Sequence, residues 1–138
     1  MKPTLLVLVF LSEEHRALVS QRFDLIYSPN EGLGADRSNG VAQIAARGKD
    51  IRFVLTNGTN GLLPAEIDAM PSLELVCTLG VGFENVARDH AKSKGIPVCN
   101  AAGTNDSAVA DHAMAILLAA IRRVPFLNTG VRHGLWRD

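Results

Sequence analysis

The sequence predicts an α/β fold built on a doubly wound, parallel, five-stranded sheet. Three observations carry that expectation. Five short apolar runs of strand length alternate with segments of helical pattern. The runs are largely unbroken by polar residues, as suits strands covered on both faces. Turns rich in glycine, proline and asparagine mark most junctions.

Taken in order, Leu5–Phe10 is the first strand, and Ser12-Glu13-Glu14 offers a helix start that continues through Gln21. Phe23–Tyr27 is the second strand, stopped by Ser28-Pro29-Asn30. Residues 31–39 read as loop, with glycines at 32, 34 and 40. Val41–Arg47 is a short helix with Gly48 as its stop. Ile51–Thr56 is the third strand and runs into Asn57-Gly58-Thr59-Asn60-Gly61. Pro64–Met70 is a helix with proline near its first position. Leu73–Leu79 is the fourth strand, ending in Gly80-Val81-Gly82. Val86–Lys94 is a helix closed by Gly95, and Ile96–Cys99 is the fifth strand. Strands joined this way by helices form right-handed crossovers in a sheet of the flavodoxin type.

The last third differs. Asn105 and Asp106 form an N-cap region, and a long helix follows to about Arg123. From Ala108 to Ile121, twelve of fourteen residues are apolar, Asp111 and His112 being the exceptions. A surface helix keeps one polar face, so this one is expected to be covered on more than one side. Arg122 and Arg123 suit the negative end of its dipole. Pro125 is expected to break the helix, with Phe126–Trp136 a second short helix or arm. The expected division is residues 1–103 as the sheet domain and 104–138 as the long helix and arm.

Composition narrows the function classes. The chain has 138 residues, 47% hydrophobic and 20% charged, an ordinary globular balance. Lys plus Arg equal Asp plus Glu at 14 each, which argues against nucleic-acid or membrane-surface partners. Cys77 and Cys99 are too few for a disulfide framework and read as buried small hydrophobes. The N-terminal apolar run is short and lacks a cleavage site, so a cytoplasmic address is expected.

Glycine-rich turns after parallel strands are where such sheets bind ligands, because glycine lets backbone N–H groups approach an anion. Asn57–Gly61 and Gly80–Asn85 are two such turns at one edge of the sheet. Neither is a dinucleotide fingerprint: position 85 is Asn where the third glycine would stand, and after Gly32-Leu33-Gly34 position 37 is Arg. Asp111 and His112 are adjacent on a helix and do not face each other. His112 reads as a packing residue, and His15, His90 and His133 as surface. No spacing suggests a metal site.

Three consecutive stretches carry a family resemblance: Leu75–Val86 (LVCTLGVGFENV), Ala91–Asn100 (AKSKGIPVCN) and Gly103–Ala113 (GTNDSAVADHA), followed by Arg132-His133-Gly134-Leu135-Trp136. In this order they closely resemble the D-isomer-specific 2-hydroxyacid dehydrogenases, in look the glyoxylate, hydroxypyruvate and hydroxyphenylpyruvate reductases. The resemblance implies an oxidoreductase that moves a hydride between NAD or NADP and a small 2-oxoacid or D-2-hydroxyacid. It implies a second, Rossmann domain carrying the catalytic Arg, Glu and His beyond Asp138, so no catalytic residue is expected in this chain. Val81 and Gly82 match the turn whose amides bind the substrate carboxylate. Asn57 and Gly58 match the loop on the other side of the substrate. Asn105, Asp106 and Val109 match the helix start near the nicotinamide, although relatives usually carry Thr or Ser where this chain has Asp106. A homodimer through residues 104–138 is also implied.

The chain alone is expected to be inactive and not to bind NAD(H). Other classes fit less well. A receiver domain shares the fold, yet Thr56-Asn57 offers no aspartate to phosphorylate. A flavodoxin needs a Thr/Ser-rich phosphate loop where Ser12-Glu13-Glu14-His15 stands. The standing alternative is a non-enzymatic dimerisation or ligand-sensing module of the same fold, as in corepressors.

Overall fold

A computed structural model describes residues 2–29 and 37–136. The expected loop glycines 32 and 34 lie outside the described residues. The chain divides into two compact units, Met1–Ala102 and Gly103–Asp138.

The first unit holds five parallel strands in the order β2-β1-β3-β4-β5. They are β1 (Thr4–Val7), β2 (Asp24–Tyr27), β3 (Ile51–Thr56), β4 (Leu75–Thr78) and β5 (Val98–Cys99). The connecting helices are α1 (Glu13–Ser20), α2 (Ser38–Arg47), α3 (Pro64–Asp68) and α4 (Arg88–Ser93). The five-stranded parallel sheet predicted from the apolar runs is therefore present.

Each face of the sheet has its own core. On one side Leu6, Leu8, Val54 and Val76 pack with Ile44 of α2, Ile67 of α3 and Ala91 of α4. On the other, Leu5, Val7 and Val9 pack with Val19 of α1, Phe23, Tyr27, Phe53 and Leu55. There Phe23 and Phe53 meet edge to face, centroids 5.7 Å apart, a favoured aromatic geometry.

Local chemistry explains several boundaries. The Ser12 hydroxyl accepts the His15 N–H, capping α1. His15 returns to the same cap, its Nδ1 lying 2.6 Å from Ser12 Oγ. Pro64 opens α3, where its missing N–H is harmless. Gly95, at φ +74°, closes α4. Gly48 does end α2, but with an ordinary right-handed φ of −53°. Glycine is needed there for space, since a Cβ would run into the Ala69 backbone.

Other expectations need correction. Phe10 is not in the first strand and stands exposed, because β1 ends at Val7 and the chain turns outward toward α1. Cys77 is only half-buried and Cys99 is exposed. Leu55, Cys77 and Cys99 are register partners on one face. The cluster around α1 reaches β3 on that face and stops short of β4 and the edge strand β5. His90 has a partner at the surface: its Nε2 lies 2.9 Å from Asp68 Oδ1, an oxygen that also meets Lys94 Nζ at 2.5 Å.

That cluster gives a pH prediction. The hydrogen bond from Lys94, then that from His90, holds the Asp68 carboxyl below its ordinary 3.8. Its contribution to stability is therefore present above the unfolded value and lost as pH falls through the lower, folded one. Carbon-detected NMR titration should place the midpoint below 3.8 and move it upward in Lys94→Ala. An unchanged midpoint in the variant would remove Lys94 as the cause.

The second unit contains α5 (Asp106–Ile121) and α6 (Val124–Arg132), which touch each other. No residue of α5 is buried. The break falls at Arg123, whose φ of +53° is left-handed, and not at Pro125, which sits in the first turn of α6. The two helices are bent by 61°. The Arg123 guanidinium lies 4.4 Å from the Phe126 ring centroid. Among the described residues no single helix is long and apolar enough to cross a membrane.

Candidate functional site

The carboxyl edge of the sheet is made by two loops. Thr56 ends β3 and leads to Asn57–Gly61; Thr78 ends β4 and leads to Gly80–Asn85. These loops are laced together by their backbones. Leu79 N–H donates to Thr56 O at 2.7 Å and Asn85 N–H to Gly58 O at 3.2 Å. Leu62 N–H donates to Asn85 O at 3.1 Å, and the Asn85 side chain donates to Thr59 O at 3.0 Å. The lacing follows from strand order, because β3 and β4 are neighbours.

The structure brings Asn57, Gly58, Val81 and Gly82 into this one junction. A Cβ on Gly58 would fall 2.6 Å from the Gly82 carbonyl carbon and 2.9 Å from its Cα. Only glycine permits so close an approach. Asn57 shapes its own loop, its Oδ1 accepting the Asn60 N–H at 2.6 Å, a local side-chain-to-backbone bond that holds the turn. Asn60 is buried and donates through Nδ2 to Leu8 O at 2.8 Å, tying the loop to the end of β1.

Beneath the loop lies an ion pair that sequence spacing does not announce. The Arg37 guanidinium pairs with Glu66 and also donates to Asn60 O. Glu66 Oε2 takes the Leu63 N–H as well, at 2.7 Å. That bond is the N3 half of a capping box at the start of α3.

The second loop turns at Gly80, whose φ is +96°. Two contacts then set its shape. Ala101 N–H donates to Gly80 O at 2.9 Å, and Asn100 Nδ2 donates to Val81 O at 2.8 Å. In a trans peptide the carbonyl and the following N–H point opposite ways. Tethering Val81 O therefore turns the Gly82 N–H away from Asn100. Among the described residues the Val81 and Gly82 N–H groups donate to no protein acceptor. Two neighbouring free amides at a left-handed turn form a concavity suited to an anion. Asn100 was missed in the sequence; its one signal was a polar residue directly after an apolar strand.

Residues 6–130 match the sequence model described as D-isomer specific 2-hydroxyacid dehydrogenase, catalytic domain.

The chain belongs to the D-isomer specific 2-hydroxyacid dehydrogenases.

The members of this family are NAD(P)-dependent oxidoreductases of small 2-oxoacids and D-2-hydroxyacids. The chain is 31% identical to a glyoxylate reductase of Korarchaeum cryptofilum over 137 residues, 99% of this chain and 40% of that protein. It is 41% identical to a D-3-phosphoglycerate dehydrogenase of Mycobacterium bovis over 69 residues, 50% of this chain and 13% of that protein. Its fold superposes, at a TM-score of 0.76 and 27% identity, on an NADPH-dependent glyoxylate/hydroxypyruvate reductase of Sinorhizobium meliloti solved with NADP and malonate. That match covers 99% of this chain and 40% of the other. The chain thus spans less than half the length of each of these relatives.

Two features bear on how this member works. The Glu84 carboxylate lies over both glycines: a Cβ on Gly82 would be 2.8 Å from its Oε2. An acid is thus placed beside the free amides. The other expected residues, Asn105, Asp106 and Val109, belong to the second unit. Asn105 precedes α5 without a side-chain capping bond, Asp106 is the first helical residue, and Val109 is exposed.

Proposed function

We propose that this chain is the substrate-side domain of an NAD(P)-dependent dehydrogenase that interconverts small 2-oxoacids and D-2-hydroxyacids. The observation that carries the reading is the Val81–Gly82 peptide, turned by Asn100 so that its amide faces away from the tether. In this reading Val81 and Gly82 bind the substrate carboxylate through their N–H groups, with Asn57 and Gly58 lining its other side. Backbone amides suit the task because they hold an anion without a titrating group.

The chemistry itself belongs elsewhere. A nucleotide-binding domain outside these 138 residues would hold NAD or NADP and carry the catalytic Arg, Glu and His. The dinucleotide, when bound, supplies the hydride. Asn105 and Val109 fit the edge of a nicotinamide, one with an uncommitted amide and the other with exposed apolar surface. Asp106 fits a helix start and not a phosphate. The apolar, unburied α5 supports an interdomain helix and a homodimer through residues 104–138. A cytoplasmic enzyme agrees with the composition.

The substrate we favour is a small unphosphorylated 2-oxoacid such as glyoxylate or hydroxypyruvate. Neither Asn57–Gly61 nor Gly80–Asn85 contains a Lys or Arg to receive a phosphate ester. Two measurements test the proposal. The complete protein should oxidise NADH or NADPH with some member of a 2-oxoacid panel; silence with all of them would refute it. In this chain alone, oxalate should shift the Val81 and Gly82 amide resonances, while calorimetry finds no NAD(H) binding. Glu84→Gln should tighten oxalate severalfold by removing the neighbouring negative charge.

A further inference from the structure

Cys77 and Cys99 belong to neither the candidate site nor the core, and they are register partners on adjacent parallel strands. Partners in a parallel pair point to the same face with Cα atoms about 4.8 Å apart. A disulfide spans Cα separations of roughly 4.4–6.8 Å. Both thiols are free; Cys99 is exposed, and Cys77 is half-buried beside it.

We propose that Cys77 and Cys99 are a peroxide-sensitive dithiol whose oxidation to a disulfide re-sets the Gly80–Gly82 turn. Exposure makes Cys99 the sulfur that reacts first. Its Sγ attacks the terminal oxygen of a hydroperoxide, the O–O bond breaks, and the other oxygen leaves with the Cys99 proton as alcohol or water. The sulfenic acid so formed is attacked by Cys77, an Sγ–Sγ bond forms, and the hydroxyl leaves as water with the Cys77 proton. Two electrons pass from the two thiols to the peroxide. Burial, with Cys99 nearby, pushes the Cys77 thiol up, which makes it the less reactive of the two toward the peroxide.

The link to the turn is direct. Thr78 follows Cys77, and Asn100 follows Cys99. Asn100 holds Val81 O, and the next residue, Ala101, holds Gly80 O. Strand β5 is only two residues long and lies at the sheet edge, so it is the element free to move. In a parallel pair the Cβ atoms also stand about 4.8 Å apart, wider than the roughly 3.5–4.5 Å a disulfide prefers. Closing the bond draws β5 toward β4 and carries Asn100 with it. A bond made against that strain is readily reversed by thiols.

The test is equimolar hydrogen peroxide added to the 138-residue chain, read by non-reducing peptide mass mapping and amide NMR. A Cys77–Cys99 cross-linked peptide is expected, reversed by dithiothreitol, with the Gly80, Val81 and Gly82 amides shifting on oxidation and returning on reduction. Cys77→Ser should stop at a sulfenic acid trapped by dimedone, with those amides unmoved. Two results would overturn the proposal: Cys99 driven to sulfonic acid or to an intermolecular dimer while Cys77 stays free, or a disulfide that leaves the turn amides unchanged. An effect of oxidation on oxalate binding rests on the function proposed above. Should the reduced chain fail to bind oxalate, that function falls while the disulfide and the amide shifts stand or fall by themselves.

Discussion

Gly61→Ala is expected to cost about 3 kcal/mol of stability, the sum of two separate penalties. The first is conformational. Gly61 sits at φ +63°, where an L side chain costs roughly 1–2 kcal/mol. The second is steric. A Cβ there would stand 2.5 Å from the Asn85 carbonyl carbon, in the lacing between the two loops. Such overlap must be relieved by moving backbone, at about 1–3 kcal/mol. Gly95→Ala separates the two penalties: its φ is +74° and nothing lies within 4 Å of an added Cβ. That variant should lose only about 1–2 kcal/mol. Thermal unfolding measures both, with Gly61→Ala lowering Tm by roughly 10 °C. Equal losses in the two variants would show that the loops do not meet as described.

Glu66→Ala is expected to cost about 2–4 kcal/mol, because it strands two donors at once. The Glu66 side chain is 10% exposed and accepts both the Arg37 guanidinium and the Leu63 N–H. Its removal leaves Arg37 against Asn60 O without a counter-charge. Arg37 is itself 29% exposed, so water recovers part of the loss, and the figure stays below that for a fully buried pair. Glu66→Gln keeps an acceptor for Leu63 and should lose about half as much. Urea unfolding of Glu66→Ala, Arg37→Ala and the double variant measures the coupling. A coupling energy near zero would mean that the pair is incidental to the loop.

These two residues show where sequence reasoning ran out. Gly61 was legible as part of a glycine-rich turn, but its neighbour Asn85 was not, since the contact exists only once β3 and β4 lie side by side. Arg37 and Glu66 are 29 positions apart, and nothing in the local pattern of either points to the other. The same reason explains the cysteines. Both lie in apolar runs, which is why burial was expected. Their exposure depends on which strand is the edge and how far the α1 cluster reaches. Gly48 was legible as a stop for α2, while the reason for it, the Ala69 backbone across the helix, was not.

Neighbouring residues alone dictate the five strands, their parallel arrangement and the family. Strand runs, the caps at Ser12 and Pro64 and the left-handed glycine at 95 are local properties of neighbouring residues, and local chemistry reads directly from a string. The stretch from Leu75 to Ala113 carries the family resemblance because its motifs follow one another in the family's order. The junction of the two loops depends on the folded sheet. The strand order brings Gly58 against Gly82, sets Asn100 beneath the Val81 carbonyl, and places Cys77 beside Cys99. Each is a contact between segments distant in the chain. Its energy depends on distance and orientation, which exist only after the sheet has formed.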